Sequence, residues 1–181
     1  MKGFLMAAMA ITAVAAWTDW RKGEIPNWLT LPALFLAPIA HAIYLSSLGA
    51  PREVALTEGA YSIAGAMATA FVPFILYRQS AIGGGDLKLL AALGALLKPG
   101  IGIEAEMYAF LLASLIAPAR LAYEGKLLRT LKNAGTITLN FFRSKEKKKP
   151  VEAEAMSWFR LGPAIFIGTG VAAFLHWVSP D

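Results

Sequence analysis

Apolar residues arrive in this chain as six blocks, and few folds can accommodate that pattern. The blocks cover residues 3–17 (running on to about Trp20), 28–48, 59–77, 87–97, 101–122 and 162–178. Hydrophobic residues make up 57% of the 181 positions, against about 45–50% in an ordinary soluble domain. Only helices satisfy their own backbone groups within one apolar segment. We therefore expect an all-α polytopic membrane protein with six transmembrane helices. The fourth is short: residues 87–97 cover about 16–20 Å against a hydrocarbon core of about 30 Å. Ala13-Val14-Ala15 resembles a signal-peptide cleavage site, but Lys2 is the whole of the positive region before it and five apolar blocks follow. The first block thus reads as a first span.

Charge orients the spans. Of the seventeen Lys and Arg, only Lys2, Arg52 and Lys98 fall on one side of a six-span topology, and the other fourteen fall in the 18–27, 78–88 and 120–160 connections. By the positive-inside rule those connections are cytoplasmic and both termini lie on the non-cytoplasmic side. The net charge of +5 marks cytoplasmic loops, with no call for nucleic acid. The basic segment at about 123–160, with Leu127, Leu128 and Leu131, reads either as a solvated loop or as an interfacial helix attracted to anionic lipid.

With no cysteines and only His41 and His176, far apart in sequence, neither a disulfide nor a metal site is expected. His41 lies mid-span, where pairing with a helix neighbour is the expected role.

Two acids remain. Gly83-Gly84-Gly85-Asp86 interrupts the apolar pattern just before the fourth block, and Asp19 ends the first. The topology puts both at the cytoplasmic face, whereas Glu104 and Glu106 fall at the other. Glycines let the backbone take φ > 0 and let a substrate approach closely. Two carboxyls in one site cannot both ionise cheaply, so one serves as base toward water while the other keeps a proton to donate. That chemistry needs neither metal nor cofactor. The simpler readings are a flexible turn with Asp86 as a helix N-cap, and Asp19 as a helix-end acid beside Arg21 or Lys22. A proton or cation site in a transporter or assembly factor is the main functional alternative. Lys88, two residues past Asp86, either contacts substrate, tunes Asp86 or snorkels to the interface. Pro26, Asn27, Gly83, Gly85, Gly162 and Pro163 are expected to shape the site.

Several motifs resemble one family. Gly83-Gly84-Gly85-Asp86 is similar to the Gly-x-Gly-Asp motif of membrane aspartyl proteases. Asp19 followed by Ile25-Pro26-Asn27-Trp28-Leu29-Thr30 resembles the first-aspartate region of the type IV prepilin peptidases, which include preflagellin peptidases. Gly84-Gly85-Asp86-Leu87-Lys88-Leu89-Leu90-Ala91 and Arg160-Leu161-Gly162-Pro163-Ala164-Ile165 resemble further stretches of that family. The resemblance implies a single membrane peptidase domain over residues 1–181, in the cell membrane of a prokaryote. It also implies Asp19 and Asp86 as catalytic residues, and cleavage of the basic leader of a prepilin-like precursor at the cytoplasmic face, typically after a glycine. A GxGD protease acting on another substrate class is a further possibility. Without cysteines there is no zinc-binding tetracysteine, so the chain is similar to the short form lacking the methyltransferase-associated N-terminal domain.

Overall fold

The computed structural model describes residues 2–123, 125 and 160–178. Met1–Leu112 and Arg160–Asp181 form one compact unit, and Ala113–Phe159 a second whose described part continues a helix to Tyr123. The basic segment, including Leu127, Leu128 and Leu131, lies outside the described residues apart from its edges. Five helices are described: α1 (Lys2–Lys22), α2 (Asn27–Ser47), α3 (Arg52–Arg78), α4 (Gly84–Tyr123) and α5 (Gly162–Val178). The first four are long and apolar enough to cross a membrane, and α5 is a shorter apolar helix. Trp17, Trp20 and Trp28 are exposed around the α1–α2 connection, as interfacial aromatic residues are.

The start of α3 differs from the sequence reading, and the turn between the fourth and fifth blocks falls where expected. Residues 49–58 were expected as a polar loop, yet α3 starts at Arg52 behind Pro51, with Glu53 in its first turn. An acid there complements the helix dipole, so polarity in this stretch marks a helix end. The expected fourth and fifth apolar blocks are the two helical arms of α4, which meet at a non-helical Lys98 (φ 63°, ψ 172°). The cause is local. Pro99 pushes the preceding residue out of the helical region and offers no N–H to the carbonyl of Ala95.

The break leaves orphan carbonyls in apolar surroundings, and neighbouring helices fill them. Ser62 Oγ of α3 donates to the Ala95 carbonyl at 2.6 Å, and His41 Nε2 of α2 bonds the Leu96 carbonyl at 3.0 Å. One to two turns earlier, Thr69 Oγ1 donates to the Leu90 carbonyl at 2.8 Å. Lys98 itself pairs with Glu58 of α3. Side-chain bonds of this kind contribute about 0.6 kcal/mol each in membrane proteins, whereas an unfilled carbonyl costs several kcal/mol.

These bonds fix the short arm of α4, residues 84–97, against α3. From Leu89 to Leu97 it is buried on all sides, as its unbroken apolar sequence requires. Small residues permit the contact: a Cβ on Gly94 would run into Thr69 Oγ1 and the Gly65 carbonyl. Gly94→Ala should therefore force the arm off α3 and lower stability by about 1–3 kcal/mol. Gly100→Ala, where a Cβ would meet nothing within 4 Å, should change little. Thermal unfolding in detergent micelles compares the two.

The other end of the chain packs on α1. The buried residues of α1 are Leu5, Ala8, Thr12, Ala15 and Asp19, a single stripe at alternating three- and four-residue spacing. α5 pairs with this helix and also meets the second arm of α4, where a Cβ on Gly168 would strike the backbone of Ala105 and Ala109. Asp19 thus faces inward because it continues the register of a packed stripe. Between α1 and α2 lies an apolar cavity of about 720 Å³, lined by Ala7, Ile11, Ala33 and Leu36 among others. Neither aspartate lines it.

Candidate active site

The connection between α1 and α2 is set by three backbone features. Gly23 ends α1 in the left-handed region at φ +72°, Ile25 turns inward and is buried, and Pro26 precedes α2 at φ −73°. Gly85 rests on this connection. A Cβ there would come within 3.0 Å of Ile25 Cβ and 3.3 Å of its carbonyl oxygen. The first turn of α4 is thereby brought to the end of α1.

The glycine stretch behaves otherwise than expected. None of Gly83, Gly84 and Gly85 takes a positive φ, and α4 begins at Gly84, not at Leu87. What these positions need is room, Gly85 most of all. Asp86 is consequently not an N-cap but the third residue of the helix. Its Oδ2 accepts a hydrogen bond from the Gly83 N–H at 3.0 Å, the return half of a capping box.

Asp19 is held from a different direction. Its Oδ2 accepts the N–H of Gly162, the first residue of α5, at 2.9 Å. A Cβ on Gly162 would fall 2.8 Å from both Asp19 Cβ and Oδ2, so only glycine lets the helix end approach this closely. Each carboxyl group therefore sits at a helix N-terminus, where backbone N–H groups point at negative charge.

Both aspartates are buried. Asp19 is 6% exposed and Asp86 is 9% exposed, and Asp19 lies near enough for its charge to bear on Asp86. Among the described residues each uses Oδ2 for its backbone donor. Of the acids expected at the other end, Glu104 accepts a hydrogen bond from His176 Nε2 at 2.8 Å. Glu106 is buried, with Oε1 unpartnered among the described residues.

A profile of the type IV leader peptidase family matches residues 6–119, a stretch that contains both aspartates. This chain belongs to the type IV leader peptidase family. Membership makes it a protease with a multi-pass membrane architecture, in line with its apolar helices. No curated protein and no solved structure matches the chain.

The remaining site residues of this leader peptidase fall into place by contact. Lys88 Nζ donates to Asn27 Oδ1 at 2.8 Å, tying the second turn of α4 to the first residue of α2. That bond gives Lys88 and Asn27 each other as partners. Pro163 follows Gly162 within the first turn of α5, where its lack of an N–H is harmless. In the sequence Arg160 is a topogenic charge at the head of the Gly162-Pro163 stretch, with no site role given to it, but its guanidinium lies close enough to act on Asp19. The available signal was its position two residues before Gly162.

Proposed function

We propose that this leader peptidase removes the basic leader from prepilin-like precursors at the cytoplasmic face of a prokaryotic cell membrane, with Asp19 and Asp86 as its catalytic pair. The observation that carries this reading is the burial of two carboxyl groups from separate helices at one end of the bundle, each held through Oδ2 by a backbone N–H. The charge asymmetry supports the orientation, with the two arms of α4 counted as separate crossings of six and both termini outside. Gly83, Gly85, Pro26, Asn27, Lys88, Gly162 and Pro163 set the site's shape.

The reaction follows from two carboxyls sharing one proton. The ionised member takes a proton from water as the water oxygen attacks the scissile carbonyl carbon. The protonated member gives its proton to the carbonyl oxygen, forming a neutral gem-diol. Collapse then breaks the C–N bond. The protonated aspartate gives its proton to the leaving amine, and the ionised one takes a single hydroxyl proton from the diol as it becomes the product carboxylic acid, so the pair ends with a single proton as it began. The backbone donors of Gly83 and Gly162 keep both carboxyls oriented throughout, and the Arg160 guanidinium offers compensation to charge on Asp19.

Membership in a peptidase family weighs against the transporter alternative. Co-expression with a prepilin-like precursor from a short-form system tests the proposal. The precursor should shorten by its leader, with a new N-terminus after a glycine, as read by gel mobility and mass spectrometry. A precursor left intact beside membrane-inserted enzyme would sink the assigned substrate class.

A further inference from the structure

We propose that His41 is a positioning residue for the aspartate pair, setting the separation of Asp19 and Asp86 from the opposite ends of the helices that carry them. The inference rests on the reading that the two aspartates work together.

His41 stands in the middle of α2 and is 3% exposed. Its Nε2 bonds the Leu96 carbonyl at 3.0 Å, and because a carbonyl only accepts, Nε2 carries the proton. In an unbroken helix that carbonyl would take its N–H from residue 100, and the break at Lys98 removes that partner. On its other side the imidazole stacks flat on Phe4 of α1, with ring centroids 3.7 Å apart and planes 9° from parallel. Phe4 also meets Tyr44 edge-on at 5.9 Å.

One side chain thus touches both aspartate-bearing helices. Phe4 lies fifteen residues before Asp19 on α1, and Leu96 ten residues after Asp86 on α4. At 1.5 Å per residue these are lever arms of about 22 Å and 15 Å. The 720 Å³ cavity between α1 and α2 is lined by Phe4, Tyr44 and Leu96 as well as by Ile11 and Leu36, so the His41–Phe4 stack ties the two helices at the edge of a gap. A small tilt of α1 or of the short arm at this end becomes an ångström-scale shift at the carboxyls. Misplacement of about 1 Å in a catalytic constellation costs about 100-fold in rate.

The two contacts of His41 can be separated. His41→Phe keeps a ring for Phe4 but loses the donor to Leu96, while His41→Gln keeps a donor and loses the ring. Phe4→Leu removes the stack and leaves the hydrogen bond in place. The test measures kcat and KM for leader removal by the purified full chain, its unfolding temperature, and, in separately labelled samples, the distance between spin labels at Trp20→Cys in the last turn of α1 and Leu87→Cys in the first turn of α4.

His41→Phe should lower kcat by about 10- to 100-fold with KM within about twofold, and should shift or broaden the label distance. His41→Gln should recover part of both. Phe4→Leu should move the label distance in a chain that retains His41, so the prediction stands even where His41→Phe fails to fold. The proposal is overturned if His41→Phe or Phe4→Leu leaves the label distance unchanged, or if kcat per folded molecule stays within twofold of wild type. If Asp19→Asn or Asp86→Asn proves active, the paired-aspartate reading fails, and the label distances still decide whether His41 spaces the two helices.

Discussion

Asp86→Asn should slow leader removal by about 10³-fold or more while leaving the protein folded. The substitution keeps the shape, and an amide oxygen can still accept the Gly83 N–H that now holds Oδ2 at 3.0 Å. The first turn of α4 therefore loses no contact. What disappears is the ability to take and return a proton. General acid–base catalysis alone contributes about 10²–10⁴-fold, and this residue serves in both the attack and the collapse. Initial cleavage rates on a synthetic precursor give the loss. An unfolding temperature within a few degrees of wild type attributes it to chemistry.

Gly162→Ala should cost about 100-fold in kcat by a different route. The new methyl would lie 2.8 Å from Asp19 Cβ and Oδ2, closer than real Cβ atoms approach such neighbours. α5 must retreat or Asp19 must turn away, and in either case the 2.9 Å bond from the Gly162 N–H breaks. The buried carboxyl then loses the backbone donor of Gly162, which a charged group in apolar surroundings tolerates badly. KM should change less than kcat, because α5 and Asp19 are read as part of the reacting end and not of substrate binding. A kcat within threefold of wild type would show that the helix end can shift without consequence.

Much of this site is visible in the sequence because the residues that build it interrupt an otherwise apolar chain. Asp19 and Asp86 stand out as acids at the ends of apolar blocks, and Gly162-Pro163 as a break before the last one. The short arm of α4 is legible from its eleven-residue apolar run bounded by glycine and Lys98-Pro99-Gly100. Other features depend on partners distant in the chain, which spacing does not reveal. The glycines at 83–85 suggest backbone freedom, yet Gly85 is required by the position of Ile25, sixty residues earlier. His41 is expected from the sequence to pair with a helix neighbour, but only the break at Lys98 shows that its partner is the Leu96 carbonyl and that Ser62 meets the Ala95 carbonyl. The start of α3 was hidden for the opposite reason. Its first turns carry Arg52, Glu53 and Glu58, and charge at a helix end resembles a loop when only hydropathy is read.

In the proposed mechanism Asp19 and Asp86 act as one unit, and the rates of leader removal by Asp19→Asn, Asp86→Asn and the double variant measure that directly. Each single variant should lose about 10³-fold or more, and the double variant should be no slower than the worse single, because groups that act together are lost together. Wild-type cleavage by either single variant in a folded protein, or losses that multiply in the double, would contradict the paired-carboxylate mechanism.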